Sequence, residues 1–191
     1  MTLENGLVLY HGSYTKVIDI DLKKCIRGKD FGIGFYLTTD LNQACNFLSS
    51  SVRKAFSKGL IKEEQKYGYV SSFRFDGDPE DYSYYEFNKA DHEWLNFVSL
   101  NRRTSIANSI KNKINPEIFK AEIISGKIAN DTTNPVITAY LNGLYGDISQ
   151  SSSANIAISL LLPEKLKDQY CFLSQRAIKD LTFIKVEKYE F

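Results

Sequence analysis

The sequence predicts a mixed α+β fold, and three observations carry that expectation. Period-two strand patterns occur at both ends and in the middle of the chain, helical stripes lie between them, and the two do not alternate as a doubly wound parallel sheet requires. The 191 residues are expected to form one domain over 1–191, because that length buries a substantial core and no repeat or linker divides the chain.

Leu7, Leu9 and His11 share one face of a first strand that Gly12 and Ser13 end. Asp30-Phe31-Gly32-Ile33-Gly34 then leads into an aromatic strand through Phe35, Tyr36 and Leu37, and the two glycines allow a positive backbone torsion or a close approach. Asp40, with Gln43 three residues on, caps a helix whose stripe is Leu41, Ala44, Cys45, Leu48, Val52, Ala55 and Phe56. Residues 57–66 read as a charged loop and Tyr69–Phe75 as a strand.

A tyrosine-rich stretch, Tyr82, Tyr84 and Tyr85, precedes a helix near Asp91 that turns Trp94, Phe97 and Val98 to the core. Arg102 and Arg103 end that helix as complements to its dipole; the alternative is that Asn101 and Arg102 reach a phosphate. Ile118–Ile124 reads as a strand, Asn134-Pro135 opens a helix, and residues 151–162 form another that Pro163 stops. A short strand at Gln169–Leu173, a turn capped by Ser174 and a last strand with Ile184 and Val186 on one face complete the chain.

Lysine and arginine number 24 against 23 acidic residues, a formal charge of +1, so the chain lacks the overall basic footprint of a nonspecific nucleic-acid binder while leaving room for local patches. Cys25, Cys45 and Cys171 cannot all pair and have neither CxxC nor zinc spacing, which points to a reducing compartment and packing roles. With His11 and His92 the only histidines, a metal site is not expected. The N-terminal residues lack a signal-peptide pattern and no apolar run is long enough for a bilayer, so a cytoplasmic location is expected.

His11-Gly12-Ser13, Phe35-Tyr36-Leu37-Thr38 and Asp168-Gln169-Tyr170-Cys171-Phe172 occur in that order on three strands. In this the chain resembles the ADP-ribosyltransferases of the diphtheria-toxin and poly-ADP-ribose-polymerase class. More closely it is similar to a bacterial family of small ADP-ribosyltransferase-like proteins marked by Tyr-His-Gly-Ser, Asp-Phe-Gly-x-Gly-Phe-Tyr-x-Thr-Thr, a Trp-Leu-x-Phe helix, Gly-x-x-Ala-Asn-Asp and Gln-Tyr-x-Phe. The resemblance covers nearly the whole chain and implies a split, mainly antiparallel sheet.

It further implies NAD as substrate, with His11, Tyr36 and Gln169 as the catalytic set. His11, Ser13 and the Gly12 main chain would hold ribose and amide groups, with Gly34 and Phe35 beside Tyr36, whose ring would stack nicotinamide. Arg27, just before the Asp30 motif, would pair with the pyrophosphate through its guanidinium fork. Asp30 and Asp131 read as loop-fixing residues.

Gln169 stands where many of these enzymes carry glutamate, and an amide can bond a ribose hydroxyl without a carboxylate's charge. The expected function is mono-ADP-ribosyl transfer to an unidentified acceptor with release of nicotinamide. A noncatalytic NAD or ADP-ribose-binding module and an NAD glycohydrolase are the alternatives. Proteins of the resembling family stand beside a small helical protein similar to an antitoxin, so the resemblance implies a toxin with an inhibitory partner.

Overall fold

A computed structural model describes residues 2–129 and 133–191 of the chain. The Asn130-Asp131 segment, and with it the loop role expected of Asp131, lies outside the described residues. In chain order the strands are β1 (Val8–Ser13), β2 (Phe35–Leu37), β3 (Tyr67–Phe75), β4 (Tyr84–Glu86), β5 (Ile123–Lys127), β6 (Asp168–Phe172) and β7 (Leu181–Glu190). The α-helices are α1 (Leu41–Asn46), α2 (Leu48–Ser57), α3 (His92–Arg102), α4 (Ala107–Ile110), α5 (Asn134–Leu141), α6 (Ser151–Leu161) and α7 (Gln175–Lys179).

The mixed α+β architecture consists of two sheets, ordered β1-β3-β7 and β2-β6-β5-β4. Pairing is antiparallel except between β4 and β5, whose connection crosses back through α3. Among the described residues the sheets meet at one bridge, where Tyr10 and Thr38 exchange backbone hydrogen bonds of 2.8 and 3.0 Å. Between them lies a seam of Leu9, Phe73 and Phe75 from the first sheet with Phe35, Leu37, Tyr170 and Phe172 from the second. A second core packs α3, through Trp94, Phe97 and Val98, against α5, α6 and the other side of the second sheet.

Local chemistry explains where these elements start and stop. Asp40 accepts from the Gln43 amide and Ser174 from the Ala177 amide, the two caps read from the sequence. The expected strand from Ile118 begins later, because Pro116 and the Asn115 cap on Glu117 coil 116–120 into a 3-10 turn. The expected single helix after Asp40 divides at Phe47, although Phe47 keeps helical torsions. In β7 a register shift leaves Ile184 unpaired and 45% exposed, so Val186 shares its face with Phe183 instead.

Candidate functional site

The site grows from β1, the 30–36 segment and β6. His11 near the middle of β1 turns its imidazole to β2, where Nδ1 lies 2.8 Å from the Tyr36 carbonyl oxygen. A carbonyl only accepts, so Nδ1 carries the proton; burial favours the neutral ring and holds its pKa below the usual histidine value. Nε2 of that neutral ring is therefore an acceptor, suited to a ribose hydroxyl. The ring rests against Phe35 with centroids 4.5 Å apart, and Phe35 itself is buried in the seam, so it supports the imidazole from below.

Tyr36 closes its own approach loop. Its hydroxyl accepts from the Phe31 amide at 2.9 Å and donates to the Gly32 carbonyl at 2.8 Å. Burial pushes the phenol well above its ordinary pKa, so it is a fixed neutral group and its ring orientation is set by both bonds. The two expected uses of glycine are divided between two residues here. Gly32 takes a φ of +95°, whereas Gly34 passes so close to β6 that a Cβ would sit 2.5 Å from Cys171 Sγ.

Gln169 on β6 is 5% exposed and points at the same loop: its Nε2 donates to Asp30 Oδ2 at 3.0 Å. Asp30 is the hub. Oδ2 also accepts from the Ala129 amide at 3.0 Å, and Oδ1 receives both Nε (3.0 Å) and Nη2 (2.7 Å) of Arg102. Arg102 further donates to Asn134 and the Ala129 carbonyl, while Asn101 donates to the Asp30 carbonyl. Thus Asp30 does fix the loop, as read from the sequence, but through side chains of α3 and β6 as well as a main-chain amide. The donors of Asn101 and Arg102, offered as an alternative for reaching a phosphate, bond Asp30, Phe97, Ala129 and Asn134.

His11, Tyr36 and Gln169 all bond to the 30–36 segment, imidazole to the Tyr36 carbonyl, phenol to Phe31 and Gly32, carboxamide to Asp30, but the His11 ring lies with Phe35 on the seam side while the Tyr36 ring packs toward α3. On β2 and β6, Tyr36 pairs with Cys171, two residues from Gln169, so the two side chains share a sheet face. Gly12 lies where a Cβ would overlap the Ala44 carbonyl of α1, which accounts for the glycine by packing. Ser13 is buried and accepts from the Thr15 amide at 3.4 Å. Arg27 is exposed on the loop before Lys29.

Lys29, which sequence reasoning passed over, is half-buried next to Asp30 with its pKa lowered, first by burial and then by Lys54. The link from Asp30 to Gln169 spans 139 positions, and no local pattern announces such a contact. A surface groove lined by Thr2, Glu4, Asp78 and Tyr82 and a small polar one lined by Glu86, Lys127 and Asp168 lie elsewhere and include none of the three residues. Among the described residues no cluster of metal-ligating side chains occurs, the three cysteines are unpaired, and no helix is long and apolar enough to cross a membrane.

Compared with known proteins, residues 7–183 match the model of a family described as a protein of unknown function (DUF3990). No curated protein and no solved structure matches the chain.

Proposed function

We propose that this chain, which belongs to that family of unknown function, is an NAD-dependent mono-ADP-ribosyltransferase. The observation that supports this reading is that His11, Tyr36 and Gln169, on three different strands, each hydrogen-bond to the 30–36 segment.

In the proposed reaction the bond between ribose C1′ and the nicotinamide nitrogen breaks, nicotinamide leaves with that electron pair, and an acceptor nucleophile bonds to C1′ and loses its proton. The carbon becomes oxocarbenium-like on the way, so a site gains most by positioning and by fixed dipoles. His11 Nε2 would accept from a ribose hydroxyl, and the Tyr36 ring, held by its hydroxyl, would flank nicotinamide. Gln169 would act beside them as a neutral group; the nearest carboxylate is that of Asp30, tied to Arg102.

Incubation with NAD labelled in the adenylate moiety tests this. We expect nicotinamide release and label on an acceptor from wild type, and at least about a hundred-fold less from His11→Ala or Tyr36→Ala, as for loss of a group acting at the transition state. No nicotinamide from wild type with any acceptor would overturn the transferase. Gln169 favours a second reading, a noncatalytic NAD or ADP-ribose-binding module, since an amide stabilises neighbouring positive charge less than a carboxylate does. Binding in calorimetry without nicotinamide release would select it, and free ADP-ribose without an acceptor would select a glycohydrolase.

A further inference from the structure

The formal charge of +1 conceals an uneven distribution. Residues 22–29 contain Lys23, Lys24, Arg27 and Lys29 and no acid, and residues 41–62 contain Arg53, Lys54, Lys58 and Lys62 and no acid. The fold brings these two segments together. Lys29 Nζ lies 6.0 Å and Lys54 Nζ 5.5 Å from the centre of the same Phe47 ring, at the α1–α2 junction. Burial first, and then the charges of Lys54 and Lys58, depress the Lys29 pKa, against an opposing pull from Asp30.

A ring holds an ammonium in place without cancelling its charge, unlike a carboxylate. Among the described residues neither Lys29 nor Lys54 has a carboxylate within ion-pair distance, whereas Lys127, Lys167 and Lys185 each have one. Phe47 and Lys54, together with Lys58 beyond the end of α2, lie along one stripe, so the charge follows a line. Phe47 is 38% exposed, leaving apolar ring surface among the cations. Lys29 immediately precedes Asp30, which bonds Gln169 and Arg102, so one end of this line lies at the loop of the candidate site.

We propose that this face binds the phosphodiester backbone of a single-stranded nucleic acid, leading the strand toward the site as its acceptor. A line of cations beside an exposed ring matches what a flexible strand offers, regularly spaced phosphates and stacking bases. The charge reaches farther than one diphosphate needs. As the identity of an acceptor, the proposal rests on the transferase reading; as a binding surface, it does not.

The test is fluorescence anisotropy of a labelled oligodeoxythymidylate with the full chain and no NAD, over a salt series. Wild type is expected to bind with an affinity that falls steeply as salt rises. Lys29→Glu/Lys54→Glu should bind about ten-fold or more weakly with a shallower salt slope, since fewer counterions are released. Lys29→Gln/Lys54→Gln should give a smaller loss in the same direction, and this milder pair serves if the charge reversal does not fold by circular dichroism. Lys120→Glu, remote from the patch, should bind as wild type.

Equal affinity of wild type and the glutamine pair overturns the proposal. So does complete displacement of the oligonucleotide by NAD, which would make the cluster a dinucleotide subsite, or tighter binding to phosphatidylserine vesicles than to the strand. Nicotinamide release by His11→Ala, measured separately, reports on the transferase reading alone, so either idea can fail without the other.

Discussion

Position 169 illustrates how one contact changes the meaning of a residue. By sequence alone, glutamine stands in for a missing carboxylate, and restoring glutamate looks like a gain. The carboxamide, however, donates to Asp30 at 3.0 Å in a buried position, so Gln169→Glu would set two carboxylates against each other. One of them must then hold a proton or move away. We predict that Gln169→Glu lowers the urea midpoint and does not raise nicotinamide release, whereas Asp30→Asn/Gln169→Glu, which removes the facing charges but also the carboxylate that Arg102 and the Ala129 amide bond, recovers only part of the lost stability while exceeding the single variant in turnover. Equal behaviour of single and double variants would discard this coupling. Asp30→Ala leaves Arg102 without its partner at 16% side-chain exposure and is expected to cost about 3–5 kcal/mol, as for a broken buried pair. His11 supplies a pH dependence. Its folded pKa lies below 6.5 because burial disfavours the imidazolium, so the unfolded chain takes up the proton first as pH falls. The stability it contributes is complete above 6.5 and declines as pH drops from there through the folded value. Melting midpoints should show that decline in wild type and lose it in His11→Asn. The depressed carboxylates Asp40 and Asp147 titrate lower and do not blur the window.

Elements were legible where their signals are local. Asp40 and Ser174 could be read as caps because a side-chain oxygen and an amide three residues away suffice. Trp94, Phe97 and Val98 could be read as core because helix period alone puts them on one side. What depends on partners could not be read: β4 forms only because Tyr84–Glu86 finds β5 beside it, and the bulge at Ile184 exists only against Ser72 and Phe73. The candidate site divides in the same way. The strands bearing His11, Tyr36 and Gln169 were visible in the residues, but the clasp from Asp30 to Arg102 and Gln169 joins positions whose proximity only the folded chain creates. Gly12 shows the cost of an element fitting too closely for a side chain. A Cβ there would overlap the Ala44 carbonyl, a backbone atom that cannot rotate aside, so Gly12→Ala must push α1 away from β1. We expect about 1–3 kcal/mol of destabilisation, as for other overpacked interiors. An unchanged denaturation midpoint would mean that α1 yields freely.

Across the whole molecule, the two sheets are held by rings more than by backbone, since among the described residues one bridge joins them while Phe35 meets Phe73 at 5.6 Å and Phe75 meets Phe172 at 6.0 Å. The same seam supports His11 through Phe35, so stability and site geometry share their atoms. Removing the fully buried Phe172 ring should therefore cost about 3–5 kcal/mol in stability and also weaken NAD binding, although Phe172 is part of the seam and has no direct role at the imidazole. Ligand linkage separates these two effects. Under the transferase reading, NAD at a hundred times its dissociation constant should stabilise wild type by about 2.7 kcal/mol, seen as a rise in melting temperature. His11→Ala, which keeps Phe172 but loses the bond to the Tyr36 carbonyl and the contact with Phe35, should melt below wild type without NAD, less so than Phe172→Ala, and show little of that rise. Phe172→Ala should melt far lower and keep only part of the rise, because the imidazole remains but its platform can shift. A full rise in both variants would mean that NAD binds away from the junction of the sheets, and the site would have to be sought elsewhere on the molecule.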